Sequence, residues 1–328
     1  MMFIGIDHGT TAMRFVGIAG DRIKKFELLR SDAAVMSGPQ IIDSITGHLE
    51  ISRSEIELIA VTYSMGDGIT AIEDINSVEA RGVQSIEGAG KKTGGGARVF
   101  DAVRNSGIPA VLIPGIHAKS NTDPRMNIFS HSTSPEKIGI AYHARCQGYN
   151  NFVVSDISSN TVTLGVANGL VIGAIDACIF APGVHHGPLD LQDIRDVDAG
   201  ICTANEAFMC AGVLKNTSYA DIEKLLEGAA RDEESALLAL DTIALFAAME
   251  IASIEILLKD HGYKGEIILA GSVGEVDHVV DKINNHLGVK CHILGKWSAA
   301  IGCAEIARDV FGESGDILGI DVNYNCSA

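Results

Sequence analysis

The sequence predicts an α/β protein with two domains of related architecture. Two segments, one beginning at Phe3 and the other at Phe152, follow the same order of strand, polar turn, strand, turn and strand. The chain has 328 residues, which exceeds the usual size of a single domain. We therefore expect an N-terminal domain over residues 1–145 and a C-terminal domain over residues 146–328, with packing of the last helix back on the first domain left open.

The first segment has the alternation of an antiparallel meander. Its predicted strands cover residues 3–6, 13–18 and 24–29, separated by the turn DHGTT (Asp7 to Thr11) and by Gly20-Asp21. An amphipathic pattern then predicts a helix over residues 40–49, and a buried strand over residues 56–62 follows it. The first question is whether DHGTT is a phosphate-binding loop or an ordinary polar turn.

The second segment repeats this layout. Its first strand ends in Asp156, a small polar turn covers residues 157–160, and strands follow over residues 161–166 and 170–175. When Asp7 is aligned with Asp156, Gly20 falls on Gly169 without a gap. Hairpin packing does not require a carboxylate at the end of a strand, so the shared aspartate favours an internal duplication over two unrelated hairpins.

Helical patterns dominate the rest of the chain. Ser235 is a candidate cap for a helix that runs to residue 260 and that Gly262 ends. A short buried strand over residues 266–270 leads into the predicted loop 271–275, and the closing helix over residues 298–311 is rich in alanine and glycine. These small side chains are suited to close backbone packing.

The charge balance limits the partners that the protein can bind. A formal charge of −17 repels phosphodiester backbones and anionic lipid heads, so we expect no binding of nucleic acid or of membranes through a basic surface. The N-terminus lacks the pattern of a signal peptide, and we expect a cytoplasmic protein. Asp241, Glu250 and Glu255 interrupt the apolar segment 236–258, which favours a buried helix over a membrane span.

Cysteine and histidine patterns give little support for a metal site. The seven cysteines are scattered and form no CxxC pair, which is typical of reduced cytosolic thiols. The adjacent pair His185 and His186 belongs to the polar stretch APGVHHGPLDL, for which hydrogen-bonded structural roles are favoured over metal binding. Loops of this composition often line a site.

A glycine-rich stretch from Gly88 to Gly107 leads into a helix predicted to begin near Ala97. Its GAGKKTGGG sequence lacks the spacing of a Walker A loop. Lys91 and Lys92 belong either to a loop that meets the substrate or to a solvated surface loop, and the sequence favours neither.

The two aspartate turns have the composition of a phosphate site. Backbone N–H groups in tight turns bind phosphate oxygens, and threonine and serine hydroxyls add further donors. Carboxylates beside such turns hold Mg²⁺ through water or orient the attacking group. Asp7 and Asp156 are therefore the candidate metal and catalytic residues.

These residues carry a resemblance to the superfamily of acetate and sugar kinases, heat-shock ATPases and actin. The resemblance implies two ribonuclease H-like domains, the actin-like ATPase fold, with ATP and Mg²⁺ in a cleft between them. By this match the first phosphate loop contains Asp7, Gly9, Thr10 and Thr11; the second contains Asp156, Ser158, Ser159 and Asn160; and the adenosine loop contains Gly271 and Ser272. The family usually has glycines where this chain has Ser158 and Ser159, which brings the nucleotide chemistry into question.

Two further motifs resemble acetate and butyrate kinases. The segment from Gly271 to Glu275 is similar to their GGIGE segment, whose glutamate lies at the metal and phosphate site, so Glu275 is a catalytic candidate. The stretch from Gly187 to Gly200 resembles a GP…RSG loop whose arginine faces the acyl phosphate. Arg195 is its counterpart here, with a structural salt bridge as the equal alternative.

A closer resemblance is to the archaeal methanogenesis marker protein 12 family. It rests on DHGTTAMRF, GAGKKTGGG, VLIPGIH, SPEKIGIAY, VVSDISSNTVTL and the GPLDL segment. The leading hypothesis is an ATP-binding phosphotransferase or ATPase that uses Mg²⁺ and an unidentified small-molecule or protein acceptor. The alternatives are a non-catalytic scaffold and an ATP-driven activator with an iron–sulfur cluster held by Cys202 and Cys210 across a homodimer.

Overall fold

A computed structural model describes residues 1–85 and 94–324. Packing divides the chain into two compact units: unit 1 contains residues 1–149, residues 169–171 and the chain from Trp297 onward, and unit 2 contains residues 150–168 and 172–296. The predicted C-terminal range 146–328 therefore does not form one compact unit. Its last helix packs within unit 1 because small side chains allow that helix to approach the first strands closely.

Unit 1 is built on a mixed sheet with the strand order β14-β15-β5-β6-β4-β1-β2-β3. β1 pairs antiparallel with β2 and parallel with β4, so it lies inside the sheet and its side chains are largely buried. The strands are β1 (Met2–Asp7), β2 (Ala12–Ala19), β3 (Arg22–Leu29), β4 (Ile56–Val61), β5 (Ile72–Asp74), β6 (Ala110–Leu112), β14 (Asp316–Ile317) and β15 (Ile320–Asn323), with β7 (Ile116–His117) and β8 (His131–Thr133) forming a separate pair.

The helices of unit 1 cover this sheet. They are α1 (Arg30–Val35), α2 (Gly38–Leu49), α3 (Gly95–Arg104), α4 (Pro135–Cys146) and α11 (Ser298–Phe311). α2 begins at a capping box in which Ser37 and Gln40 satisfy each other's backbone donors, and it buries Ile41, Ile45 and Leu49 against the core. The predicted helix over residues 40–49 is therefore present and starts two residues earlier.

Close backbone contacts join α11 to its neighbours in unit 1. A Cβ on Gly302 would lie 1.7 Å from the carbonyl oxygen of Gly139 on α4, and a Cβ on Gly5 would lie 2.2 Å from the carbonyl oxygen of Ala300. Neither position has room for a side chain. These glycines let α11 support β1, the strand that ends in Asp7.

Unit 2 contains a sheet with the order β11-β10-β9-β12-β13. Its strands are β9 (Phe152–Ile157), β10 (Thr161–Ala167), β11 (Leu170–Ile175), β12 (Glu266–Ala270) and β13 (His292–Gly295). β9 pairs antiparallel with β10 and parallel with β12, which repeats the pairing of β1 with β2 and β4. Asn168 and Gly169 both have positive φ, as a type I′ hairpin turn requires. The two segments that the sequence aligned thus share one topology.

The helices of unit 2 are α5 (Leu191–Asp198), α6 (Ala204–Cys210), α7 (Ile222–Ala229), α8 (Glu234–Asp260), α9 (Gly271–Gly274) and α10 (Asp277–Leu287). Two sequence predictions are wrong in detail. Ser235 does not cap α8, because the N-cap residue is Glu233 and the Ser235 hydroxyl lies 3.2 Å from the Tyr219 hydroxyl. The predicted loop after β12 is a single helical turn, α9, over most of its length.

α8 is long and apolar enough, by length and composition, to cross a membrane. Half of its most apolar stretch is buried inside the protein, and the buried residues include Glu250. Core helices of soluble proteins have the same properties. The structure thus provides an apolar partner for one side of this helix.

Candidate functional site

The first aspartate turn begins at the end of β1. Asp7 is only 3% exposed and lies opposite Arg14 in the register of β1 and β2. Nη1 of Arg14 donates to Oδ2 of Asp7 at 3.2 Å, and Nε of Arg14 donates to Oε1 of Glu27 at 3.0 Å. Burial lowers the pKa of Arg14, but the two carboxylates outweigh it and raise the pKa above the usual value. Asp7 therefore faces a permanent cation.

Long side chains fix the backbone of this turn. The N–H of His8 donates to the Thr62 hydroxyl at 3.1 Å, and Nη1 of Arg30 donates to the Gly9 carbonyl at 3.3 Å. A Cβ on Gly9 would lie 2.5 Å from the carbonyl oxygen of Ala12, so the turn is too tight for a side chain there.

Thr10 and Thr11 form the exposed tip of the turn. Neither hydroxyl has a hydrogen-bond partner within residues 1–85 and 94–324. Both hydroxyls are therefore available to donate to a ligand.

His8 joins the turn to the end of the glycine-rich motif. Its Nε2 lies 3.0 Å from the carbonyl oxygen of Gly96, and its ring packs edge-on against Tyr63. Burial, opposed in part by the Gly96 carbonyl, lowers the pKa of His8 to about 4. The neutral ring then donates from Nε2 to Gly96. A Cβ on Gly96 would lie 2.9 Å from the His8 ring, so this contact requires glycine.

The rest of the glycine-rich motif is described only in part. Residues 86–93, which include Lys91 and Lys92, lie outside the described residues. α3 begins at Gly95, two residues before the predicted start at Ala97, and a Cβ on Gly95 would lie 2.2 Å from the carbonyl oxygen of Arg30. The final glycines thus allow α3 to start directly against the backbone beside the first turn.

A charged pair at the start of α4 is a feature that the sequence analysis did not assign to the site. Lys137 is 3% exposed, and its Nζ donates to Oε1 of Glu136 at 2.8 Å; the Ser134 hydroxyl donates to the same oxygen at 2.6 Å. Burial raises the pKa of Glu136, but Lys137 and Ser134 outweigh it and hold the pKa below its usual value. The Glu136 charge also raises the pKa of His8 slightly. The Glu136 carboxylate thus contributes to the electrostatics of the first turn. Its place in the SPEKIGIAY motif is the only sequence signal for it.

The second aspartate turn begins at the end of β9. Asp156 is 8% exposed and pairs in register with Ala270, the last residue of β12. The next residue, Gly271, has φ +85°, and a Cβ on it would lie 2.2 Å from Oδ1 of Asp156. Glycine is therefore required at this position on two counts, the backbone angle and the neighbouring carboxylate. The structure brings Asp156 and Gly271 together, as the sequence match implied.

Backbone groups hold the Ser158–Asn160 turn. The N–H of Val184 donates to the Ser158 carbonyl at 3.1 Å, and the N–H groups of His185 and His186 donate to the Ser159 carbonyl at 3.0 and 2.9 Å. A Cβ on Gly183 would lie 2.4 Å from Cα of Asn160. The APGVHH segment therefore supports this turn through its backbone. The side chains of Ser158 and Ser159 are half-buried.

Three other predicted site residues have different surroundings. Ser272 is half-buried in α9, one residue after Gly271. Glu275 is exposed, and its Oε2 accepts from the N–H of Lys296 at 3.3 Å, so it is engaged with the end of β13. Arg195 is exposed on α5 and has no ion pair with any described residue, so the structure gives no support to the salt-bridge alternative.

The described cysteines and histidines were compared with the arrangement that a metal site needs. Within residues 1–85 and 94–324, no group of three or more histidine, cysteine, aspartate or glutamate side chains is arranged to hold a metal ion. Cys202 lies just before the short helix α6, and Cys210 is the last residue of that helix. The ring of His186 stacks on Phe208.

The residues of both turns fit a nucleotide with Mg²⁺. Each unit offers a buried carboxylate at a strand end, a glycine that admits no side chain beside it, and small hydroxyl residues at the surface. Carboxylate oxygens are ligands that Mg²⁺ prefers, directly or through water, and small turns leave backbone donors accessible. The chemistry of the donor set thus agrees with the groups that the resemblance implied.

Solved structures with the same architecture define the fold. The chain superimposes with a TM-score of 0.65 on an acetate kinase from Porphyromonas gingivalis, covering 94% of this chain and 99% of that one at 11% identity. A propionate kinase from Francisella tularensis gives a TM-score of 0.64 at 13% identity, with the same coverage. A ROK family glucokinase from Streptomyces griseus, solved with glucose and AMPPNP, gives 0.53 at 14% identity. The protein has the two-domain, ribonuclease H-like fold of acetate and sugar kinases and actin-like ATPases.

Sequence relatives identify the family. No protein-family model matches the chain. A UPF0285 protein from Methanosarcina mazei is 66% identical over 324 residues, which cover 99% of this chain and all of that protein. Another, from Methanocaldococcus jannaschii, is 44% identical over 334 residues with the same coverage. The chain belongs to the UPF0285 family of methanogenic archaea.

Proposed function

We propose that the protein is an ATP-binding phosphotransferase or ATPase that works with Mg²⁺. The observation that carries the proposal is the repeated aspartate: Asp7 is the last residue of the central strand β1, and Asp156 is the last but one of the central strand β9, and both are buried. A glycine at which no side chain fits lies near each of them, in the same turn for Asp7 and after the neighbouring strand β12 for Asp156. Packing of a β-hairpin does not require this combination. Phosphoryl chemistry does, because it depends on positioned carboxylates and on backbone donors in tight turns.

Each residue in the first turn has a role in this proposal. The Thr10 and Thr11 hydroxyls and the backbone donors beside Gly9 bind phosphate oxygens. Asp7 would hold Mg²⁺, and its salt bridge to Arg14 fixes the direction of the carboxylate. Mg²⁺ supplies neutralisation of the charge that develops on the transferred phosphoryl group.

The second turn has a related role in the proposal. Asp156 is the second metal-side carboxylate, and the Ser158, Ser159 and Asn160 turn supplies phosphate donors. Gly271 and Ser272 lie on the nucleoside side of this set. Arg195 is the candidate for the acceptor end of the reaction, and Glu275 is the candidate for the phosphate end. Their motif matches support these roles, since neither side chain contacts Asp7 or Asp156.

Titration calorimetry with ATP, ADP and AMPPNP, each with and without Mg²⁺, tests the proposal. We expect wild-type protein to bind, and we expect Asp7→Ala and Asp156→Ala each to weaken Mg²⁺-dependent binding by tenfold or more. Asp281→Ala is the control, since Asp281 is exposed on α10. At a concentration 100 times the Kd, a bound nucleotide adds about 2.7 kcal/mol to the free energy of unfolding, so thermal unfolding gives an independent readout.

Two results would contradict the proposal. The first is the absence of any binding or stabilisation of the wild-type protein by millimolar nucleotide, which would favour a scaffold that kept only the fold. The second is equal binding by wild-type protein and both aspartate variants, which would place the nucleotide elsewhere on the protein.

A further inference from the structure

The solvent-facing side of α8 carries a regular apolar stripe. The stripe consists of Ser235, Leu238, Thr242, Leu245, Met249, Ala252, Ile256 and Lys259, which are three and four residues apart in strict alternation. This is the spacing of the a and d positions of a coiled coil. Leu238, Leu245, Met249 and Ile256 are 65%, 43%, 46% and 65% exposed. The stripe is thus an unpartnered seam of the kind that packs against another helix.

Apart from Lys259 at the end of the stripe, the charged residues within α8 lie off it. Asp241 accepts from Nζ of Lys282 at 2.9 Å and lies 2.7 Å from Nε2 of His278, both on the flanking helix α10. Glu250 is fully buried on the opposite side, where it accepts from the N–H of Ala181. The stripe therefore has no charge for about 27 Å, from Leu238 to Ile256, at about 1.5 Å per residue. A surface of this kind stands out on a chain with a net charge of −17.

The hydroxyl on the uncharged part of the stripe and another hydroxyl beside it already have hydrogen-bond partners. The Thr242 hydroxyl donates to the Leu238 carbonyl at 2.7 Å, and the neighbouring Ser253 hydroxyl donates to the Met249 carbonyl at 2.9 Å. Burying these hydroxyls leaves no donor without a partner. The stripe can therefore be buried in a dry interface.

We propose that this stripe is a homodimer interface in which α8 packs antiparallel against α8 of a second copy. The alternating spacing is symmetric about residue 247, so a two-fold axis there places each residue opposite a defined residue of the other copy. Leu238 meets Ile256, Leu245 meets Met249, and Thr242 meets Ala252. Large apolar residues thus face one another, and the small residues lie together between them.

Charge complementarity at the edges supports a second copy as the occupant. The same axis places position 241 of one copy level with position 253 of the other. Glu255 of the other copy is level with position 239, so Lys282 and His278, which contact Asp241, lie about 3 Å from it along the helix axis. At the two ends, Lys259 lies level with Ser235 and the adjacent Glu234. In a parallel pairing, each of these charged residues would instead lie opposite the same residue of the second copy, which has the same charge.

Oligomeric state in solution tests this interface. We expect sedimentation equilibrium of the full chain to give twice the chain mass of 34.5 kDa. Leu245→Glu should convert the protein to a monomer, because it places a carboxylate opposite Met249 of the second copy. Leu191→Glu is the matched control, since Leu191 is 63% exposed on α5 and should leave the dimer intact.

A charge pair tests the direction of the helices. In the double variant Leu245→Glu/Met249→Lys, an antiparallel seam places each introduced glutamate opposite an introduced lysine, so the dimer should re-form. A parallel seam would place like charges together, and the double variant would stay monomeric. Circular dichroism of each variant checks that unit 2 is folded.

Three results would overturn the proposal. One is a wild-type protein that stays monomeric up to high micromolar concentration. Another is a dimer that persists in Leu245→Glu, which would place the interface elsewhere. The third is a monomer that sediments with phosphatidylglycerol vesicles through α8, which would make a lipid surface the occupant. Nucleotide binding is measured separately on each variant, so failure of the dimer does not bear on the proposed function.

Discussion

The two aspartate turns share a topology but are held in different ways. The turn after β1 is fixed mainly by side chains, since Arg14 contacts Asp7, Arg30 contacts Gly9, and His8 reaches a carbonyl 88 residues away. One backbone bond, from the N–H of Arg30 to the Thr11 carbonyl, adds to these contacts. The turn after β9 is fixed by backbone, since the N–H groups of the APGVHH segment bind its carbonyls directly. The same fold position can therefore be supported by side chains or by main chain.

This difference predicts different sensitivities. A turn held by side chains depends on their ionisation and is expected to respond to pH. A turn held by backbone depends on close approach and is expected to respond to any added atom. Three substitutions separate these behaviours, beginning with the one that we expect to be most damaging.

Gly271→Ala should have the largest effect. Alanine at φ +85° costs about 1–2 kcal/mol, and the Cβ would also meet Oδ1 of Asp156 at 2.2 Å. We expect a total loss of about 3 kcal/mol or more in the free energy of unfolding, measured by urea denaturation, and a loss of nucleotide binding through displacement of Asp156.

Gly200→Ala is the matched control in the same unit. Gly200 has φ +71°, but a Cβ there would meet nothing within 4 Å. It should therefore cost only about 1–2 kcal/mol, the value for the backbone angle alone. Equal losses for the two variants would show that the approach of Gly271 to Asp156 is not required.

His8→Gln should remove a pH dependence that is specific to the first turn. The pKa of His8 is about 4 in the folded protein, below its usual value of 6.5, so the unfolded chain binds the proton more readily. Stability from this group is complete above pH 6.5 and is lost as the pH falls towards 4. At pH 5 the loss is about 2 kcal/mol relative to pH 7.

Urea denaturation at pH 7 and pH 5 measures this loss. Glutamine keeps a donor near the Gly96 carbonyl but does not titrate, so we expect the variant to show a correspondingly smaller difference between the two pH values. His286→Gln, at an exposed position on α10, is the control. If His8→Gln retains the wild-type difference, another group is responsible for it.

Replacing Ser158 and Ser159 by glycine should have the smallest effect. The carbonyls of both residues are already bound by backbone donors, and these bonds do not depend on the serine side chains. We expect nucleotide affinity within about threefold of wild type and a stability cost of about 0.5 kcal/mol per residue from the added chain entropy. An affinity gain of tenfold or more, measured by calorimetry, would show that the serines obstruct the phosphate.

Much of the fold could be predicted because it depends on local pattern. Alternation, turn residues and the shared aspartate located the strands β1 to β3 and β9 to β11, and glycine placement located their turns. The apolar run of α8 was also evident, although its first residue was not, since Tyr219 engages both Glu233 and Ser235 at that end. The start of α8 therefore depends on Tyr219, which lies more than ten positions away in the sequence.

The site was harder to predict because it depends on residues far apart in sequence. Asp7 and Asp156 were signalled by their strand ends, but the pairing of Arg14 with Asp7 follows from strand register, and the His8 contact with Gly96 follows from the packing of α3. Glu136 and the buried Lys137 form an ion pair that no spacing indicates. Similarity of the surrounding motifs identifies Arg195 and Glu275 as candidate site residues. Only the three-dimensional structure shows that both are exposed.

The packing of α11 on β1 also sets an order for synthesis. Val16, Ile18, Ala300, Ile301 and Ala304 form one small apolar cluster, so unit 1 cannot complete its core until the last helix has left the ribosome. Every residue of unit 2 is translated before that helix. At about 5–20 residues per second, the first strands wait on the order of ten seconds or more for their final partner. The unit that begins first is therefore the one that finishes last.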